Sequence, residues 1–265
     1  MDPRIVLLVG AGRMGGAMIE GWRIAGPVSM DELIVRDPHP SPEAQRAAQD
    51  GAMLHPADSD LARAATVVLA VKPQLWRQVA AEIEPFLAPE AIIVSVAAGI
   101  GEADIAAALG GRLVARVMPT TAVAIGQGAV TIYSDSDEAR ARAHALFATL
   151  GSVVDVEDET LMHAATAVSG SGPAYLYAFV EALEAAGAEA GLSAADAAAL
   201  ARATVSGAAA LMTMSEADPG ELRRQVTSPG GTTAAGLQVL TGEGDLQRLL
   251  TATVAAAVRR SKELG

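Results

Sequence analysis

The first chemical signal is Gly10-Ala11-Gly12-Arg13-Met14-Gly15. This G-x-G-x-x-G run directly follows the apolar stretch 5–9 and opens a helix-like stretch, 15–25. In that setting each glycine has a task. Gly10 permits a tight turn, Gly12 lets the backbone come close to a ligand, and Gly15 lets the helix pack against the strand. The N–H groups and dipole of a helix start stabilise phosphate charge. A glycine-rich turn without a ligand has the same letters. The strand before it and the helix after it favour a dinucleotide cradle made by Val9, Gly10, Ala11, Gly12, Arg13, Met14 and Gly15.

The next strand end bears on which dinucleotide. Asp37 stands 22 positions after Gly15, where a carboxylate would accept from a ribose hydroxyl. Arg36 beside it would instead hold a 2′-phosphate. The two neighbours point in opposite directions, so NAD and NADP both stand. A solvated Arg36-Asp37-Pro38 turn fits the same residues. Ala70-Val71-Lys72-Pro73 ends a third strand and Val96-Ala97-Ala98-Gly99 a fourth. Ligands of open α/β sheets lie at the carboxyl ends of strands, and small side chains there leave room for one. Lys72 adds charge near such a cofactor, or is a surface lysine ahead of a helix-opening proline.

A second glycine-rich segment, Ser228-Pro229-Gly230-Gly231-Thr232-Thr233, precedes the last long helix-like stretch. Backbone N–H groups and hydroxyls at a helix start make an anion site, and the room available suits a small carboxylate. An ordinary capped loop has the same composition. Residues 167–175 form a similar break of small residues between helices.

What is missing narrows the chemistry. The chain has no cysteine, only the lysines Lys72 and Lys262, and four scattered histidines, His39, His55, His144 and His163. None of these has metal-ligand spacing, so no metal is expected. His163, on an apolar helix, reads as a packing residue. A hydride-accepting C=N group fits that inventory. An imine nitrogen is far more basic than a carbonyl oxygen, so it arrives protonated or takes its proton from a hydroxyl or water. Orientation and cofactor chemistry then supply most of the rate.

The elements that must hold these groups follow from periodicity. Short apolar runs at 5–9, 33–35, 66–71, 92–96, 113–117, 129–133 and 153–154 alternate with helix-like stretches such as 15–25, 41–49 and 73–86. That is the pattern of βαβ units and a sheet buried on both faces. From about residue 159 the text is helical only: 161–169, 174–190, 194–214, 221–226 and 234 to the end. The fold class is α/β: a Rossmann-like N-terminal domain with a mostly parallel sheet (1–157), followed by an all-α C-terminal dimerisation domain (158–265). The helix 203–214 is apolar almost all round, which predicts a helical homodimer interface.

Composition sets the outer bounds. The chain has 265 residues, 51% of them hydrophobic, with a formal charge of −12. That apolar content excludes a disordered chain. The acidic balance argues against nucleic acid as a partner. No apolar run looks long enough for a bilayer, and no signal peptide opens the sequence, so no membrane partner is expected. A cysteine-free chain fits a cytoplasmic location.

Together, GAGRMGGAM at 10–18, AVKPQ at 70–74, SVAAGI at 95–100, AVSGSGPAY at 167–175 and TSPGGTT at 227–233 resemble the pyrroline-5-carboxylate reductase family, in the right order over nearly the whole chain. The resemblance implies NAD(P)H-dependent reduction of L-1-pyrroline-5-carboxylate, a cyclic imino acid, to L-proline. It also implies dimers interlocked through the helical domain, often assembled into decamers. By it, Ser228–Thr233 is the substrate loop. Thr233 would bond the ring nitrogen and donate the proton, and the N–H groups of Gly230, Gly231 and Thr232 would hold the carboxylate. Glu216 matches a family acid near the site. The chain departs from the family's frequent M-P-N-T-P at Met118-Pro119-Thr120-Thr121-Ala122, and lacks an asparagine at His55-Pro56-Ala57-Asp58. Asp37 stands where NADP-preferring relatives avoid an acid. A β-hydroxyacid or 6-phosphogluconate-type dehydrogenase shares the layout but needs a lysine acid/base early in the second domain, and none lies between 159 and 190. A silent nucleotide-binding regulator is the remaining alternative.

Overall fold

The computed structural model describes residues 2–264, with side chains described for 4–263. The first unit opens with β1 (Asp2–Val9), α1 (Arg13–Ala25), β2 (Leu33–Arg36), α2 (Pro42–Gln49), β3 (Met53–Leu54), α3 (Asp58–Leu61) and β4 (Ala64–Leu69). It continues with α4 (Trp76–Ile83), β5 (Ile92–Ser95), α5 (Glu102–Ala108), β6 (Val114–Pro119), β7 (Gly128–Tyr133), α6 (Asp137–Phe147) and β8 (Gly151–Asp155). These strands form one sheet in the order β3-β2-β1-β4-β5-β6-β7-β8. All neighbours are parallel except β6 and β7.

The sheet is sandwiched because successive side chains point to opposite faces. Val6 and Leu8 of β1, Val68 of β4 and Val94 of β5 join a core with Met18, Trp22 and Phe147. Leu7, Val9, Val67, Leu69 and Ile93 join the opposite core with Trp76, Ile83 and Ile105. Every residue of β4, β5 and β6 is buried, as strands covered on both faces require. Trp22 also satisfies its indole N–H by donating to the Leu146 carbonyl at 2.9 Å.

Three features differ from the sequence reading. The short β3 and α3 lie below the length at which periodicity is visible. The helix expected over 73–86 starts at Trp76 and ends in a 3₁₀ turn, Glu84–Phe86. Pro85 is inside that turn and has no N–H to continue the helix. Between β6 and β7 there is only a 3₁₀ turn, Thr121–Ile125, closed by left-handed Gly126. So short a connection allows only antiparallel pairing. Thr120 braces it by accepting the Ala129 N–H at 3.1 Å.

A polar cluster sits behind β6 and β7. The buried Arg116 pairs with Glu159 at 2.9 Å, and the same Glu159 oxygen accepts the Glu102 N–H. Burial, aided by the nearby Asp135 and Glu159 charges, raises the Glu102 carboxyl above its usual value.

The helices beyond β8 are α7 (Leu161–Ala165), α8 (Gly172–Glu189), α9 (Ala194–Met214), α10 (Pro219–Gln225), α11 (Thr232–Thr241) and α12 (Asp245–Leu264). Contacts divide the chain after Gly170. Residues 171–256 form the second unit, and the last turns of α12, from Ala257, group with the first. In the first unit His163 Nδ1 lies 2.9 Å from Ser261 Oγ, a satisfied packing histidine. The stretch read as one helix from 234 is two, because Glu243 and Gly244 adopt left-handed backbone between α11 and α12.

Within the second unit α8 packs on α9, where Gly187 meets Ala197 so closely that an added methyl would lie 3.2 Å from the Ala197 side chain. Ser193 caps α9 by accepting the Asp196 N–H at 3.1 Å. Little else is covered. Tyr177 is 66% exposed, Leu211 67% and Val239 81%. The expectation that no segment is long and apolar enough for a bilayer is corrected by α9, which meets that test by length and composition. Asp196, Arg202 and scattered Ser, Thr and Gly residues hide this when uninterrupted apolar runs are sought.

Candidate active site

The turn after β1 has the geometry its glycines suggest. Gly10 has φ +97°, and its N–H donates to the Arg36 carbonyl at 2.9 Å. A Cβ on Gly10 would lie 2.7 Å from the Ala70 carbonyl oxygen, so strands β1 and β4 close only on glycine. A Cβ on Gly15 would collide with the Gly10 carbonyl. Gly12 caps α1 with no side-chain hydrogen bond and no acid in the first turn. Nothing lies within 4 Å of the position a Gly12 Cβ would take. The result is an open, uncapped helix N-terminus, the kind of backbone site that suits an anion.

Val9, Gly10, Gly12, Arg36, Asp37, Ala70, Val71 and Lys72 line one cavity of about 360 Å³ at the carboxyl ends of β1, β2 and β4. Ala11 is buried beneath it, and its N–H is donated to Asp37 Oδ2 at 2.6 Å. Gly15 packs under the turn. Arg13 lines a separate depression with Glu20 and Glu43. Met14, Pro73, Val96, Ala97 and Ala98 lie outside the cavity wall. The sequence reading missed Leu75, Val79 and Glu82, which also line the cavity. Their spacing over one face of the segment after β4 is the signal that marks them. It also missed His39, whose N–H donates to Asp37 Oδ1 at 2.7 Å.

The acid and base at the end of β2 have distinct partners. Asp37 receives one backbone N–H on each oxygen. Arg36 pairs with Asp58 of α3 at 2.7 Å.

The second glycine-rich segment belongs to the other unit. Thr227 closes α10 through its N–H and hydroxyl, which donate to Arg224 and Arg223 carbonyls at 3.0 and 2.6 Å. The Gly231 N–H donates to the Ser228 carbonyl at 3.1 Å, and Gly230 is left-handed at φ +69°. A Cβ on Gly231 would lie 2.7 Å from Ser228 Oγ, a side-chain atom that a change of rotamer moves aside. No side chain caps α11, and Thr232 and Thr233 are exposed at its first turn. Glu216 is exposed in the bend before Asp218, which caps α10 by accepting the Glu221 N–H. Among the described residues no group of three acidic or histidine side chains could hold a metal.

A doubly wound sheet with an open glycine turn at its strand ends, followed by a helical unit, defines a dinucleotide-dependent oxidoreductase. Residues 4–99 match the model for "NADP oxidoreductase coenzyme F420-dependent", and residues 159–264 that for "Pyrroline-5-carboxylate reductase dimerisation". The pyrroline-5-carboxylate reductase of Pseudomonas aeruginosa is 39% identical over 99% of this chain and 97% of that protein. The solved pyrroline-5-carboxylate reductase of Coxiella burnetii superimposes with a TM-score of 0.90 at 30% identity, covering 100% of this chain and 99% of that one. The Plasmodium falciparum pyrroline carboxylate reductase, solved with NADP bound, gives 0.84 at 27% identity over 100% and 99%. The chain belongs to the pyrroline-5-carboxylate reductase family.

Proposed function

We propose that this protein is an NAD(P)H-dependent reductase that converts L-1-pyrroline-5-carboxylate to L-proline, the last step of proline biosynthesis. The observation that carries the reading is the alignment over 99% of the chain with a reductase of that name. The open turn at Gly10–Gly15 and the uncapped start of α11 supply the two anion sites the reaction needs. The division of labour is 1–157 for the nucleotide and 158–265 for substrate and self-association.

When bound, the nicotinamide supplies a hydride to the imine carbon. The chain does the rest. The α1 N-terminus and the Gly12 backbone hold the diphosphate, with Arg13 and Met14 in the same first turn. Asp37 faces the adenosine ribose. Ala70, Val71, Lys72 and Pro73 border the path along the strand ends, with Val96, Ala97 and Ala98 beyond them. Backbone N–H groups of Gly230, Gly231 and Thr232, with Ser228 in the same loop, grip the carboxylate. The Thr233 hydroxyl bonds the ring nitrogen and passes it a proton as C=N becomes CH–NH, and Glu216 lies near the reacting ring.

The uncovered helices support assembly as a homodimer, since each large apolar side chain moved out of water contributes roughly 1.5–3 kcal/mol. Further assembly to a decamer, a cytoplasmic location, and the lack of nucleic-acid or membrane partners belong to the same reading. In that reading α9 faces another protomer rather than lipid.

Purified protein given L-1-pyrroline-5-carboxylate should oxidise NADH or NADPH and form proline in equal amount. No oxidation with either cofactor would end the proposal.

A further inference from the structure

The adenosine end of the cavity holds an arrangement that the family likeness does not explain. Arg36 lies at the end of β2 and lines the cavity, yet its Nη1 is 2.7 Å from Asp58 Oδ1. We propose that Asp58 sets cofactor choice in this chain: by holding Arg36 it withdraws the guanidinium that a 2′-phosphate needs, so the cleft takes NADH in preference to NADPH. This rests on the nucleotide-binding part of the reading above and not on the identity of the imine.

The neighbouring carboxylate acts in the same direction. Both Asp37 oxygens are pinned by backbone N–H donors, from Ala11 at 2.6 Å and His39 at 2.7 Å. Their remaining lone pairs can only accept. A ribose 2′-hydroxyl donates to them, whereas a 2′-phosphate has nothing to donate and is repelled.

Asp58 cannot simply follow Arg36 into the cavity. It opens the short α3, whose start is fixed by Asp60 accepting the Ala57 N–H at 3.0 Å. The preceding His55 is left-handed at φ 51°. The pair is partly exposed, 29% at Arg36 and 51% at Asp58, so its effect is moderate and sensitive to salt.

The test is equilibrium titration of the intact protein with NADH and with NADPH, without substrate. Wild type should bind NADH more tightly. Asp58→Asn should tighten NADPH about fivefold and leave NADH within about twofold, because it frees Arg36 without touching the ribose. Arg36→Gln combined with Asp58→Asn should lose that gain. The gain should also shrink as salt rises, which a merely structural effect of Asp58 would not do. An NADPH affinity unchanged by Asp58→Asn, a gain that survives in the double variant, or a wild type that prefers NADPH would overturn the inference. Binding of neither nucleotide would sink it together with the cradle. Normal binding without imine reduction would sink only the proposed reaction.

Discussion

The N–H of Ala11 and Oδ2 of Asp37 are 2.6 Å apart, which ties the glycine turn after β1 to the end of β2. One carboxylate therefore has two tasks. It fixes the glycine turn after β1, and in the proposed reading it offers acceptors to the ribose.

Asp37→Ala should weaken NADH about tenfold, the size expected for losing hydrogen bonds to a charged group. NADPH should lose less, because the same change removes a negative charge facing its 2′-phosphate. Titration of the two cofactors against the variant checks this. An unchanged ratio of the two affinities would count against the assignment.

Thr233→Ala should lower kcat by about a hundredfold while cofactor affinity stays within a factor of two, as expected when a proton-delivering hydroxyl is lost. Steady-state kinetics beside nucleotide titration separate the two effects. Thr233→Ser should restore a substantial part of the rate. Full activity in the alanine variant would remove the hydroxyl from the mechanism.

The exposed apolar residues of the second unit predict a failure of assembly on charge insertion. Leu211→Arg and Val239→Arg place a cation where large side chains stand uncovered in the single chain. Each should shift the protein from dimer toward monomer at micromolar concentration, as sedimentation would show, with reductase activity falling in step. Variants that remain fully dimeric would place the interface elsewhere.

His163 provides a pH signature. Burial, with the positive charges of Arg116 and Lys262, lowers its pKa below 6.5 in the folded state. The unfolded chain then binds the proton more readily, so stability is complete above 6.5 and declines as pH falls through that value toward the folded pKa. His163→Gln should flatten the decline of the urea midpoint on acidification. An equal decline in wild type and variant would assign the loss to other groups.

Much of this is legible in the sequence. The runs 5–9, 33–35 and 92–94 are apolar at every position because both faces of their strands are covered, and Leu7 and Leu8 duly enter opposite cores. The turn at Gly10 was readable because the Ala70 carbonyl, just past β4, stands where a side chain would be. The Arg36–Asp58 pair was not readable. Asp58 opens a one-turn helix that follows a two-residue strand, and neither element leaves a periodic trace. Nor was the Asp37 loop contact, since a carboxylate accepting a backbone N–H from residue 11 looks in sequence like any acid in a turn. The break before α12 was missed because Glu243, a good helix former, adopts left-handed backbone beside Gly244.

The most direct measurement is a structure of the assembled protein with NADH or NAD and L-proline. The expected result is the proline carboxylate at the N–H groups of 230–232, the Thr233 hydroxyl bonded to the ring nitrogen, and the ring carbon stacked within hydride reach of the nicotinamide. Proline bound elsewhere, with Thr233 facing solvent in every protomer, would contradict the account.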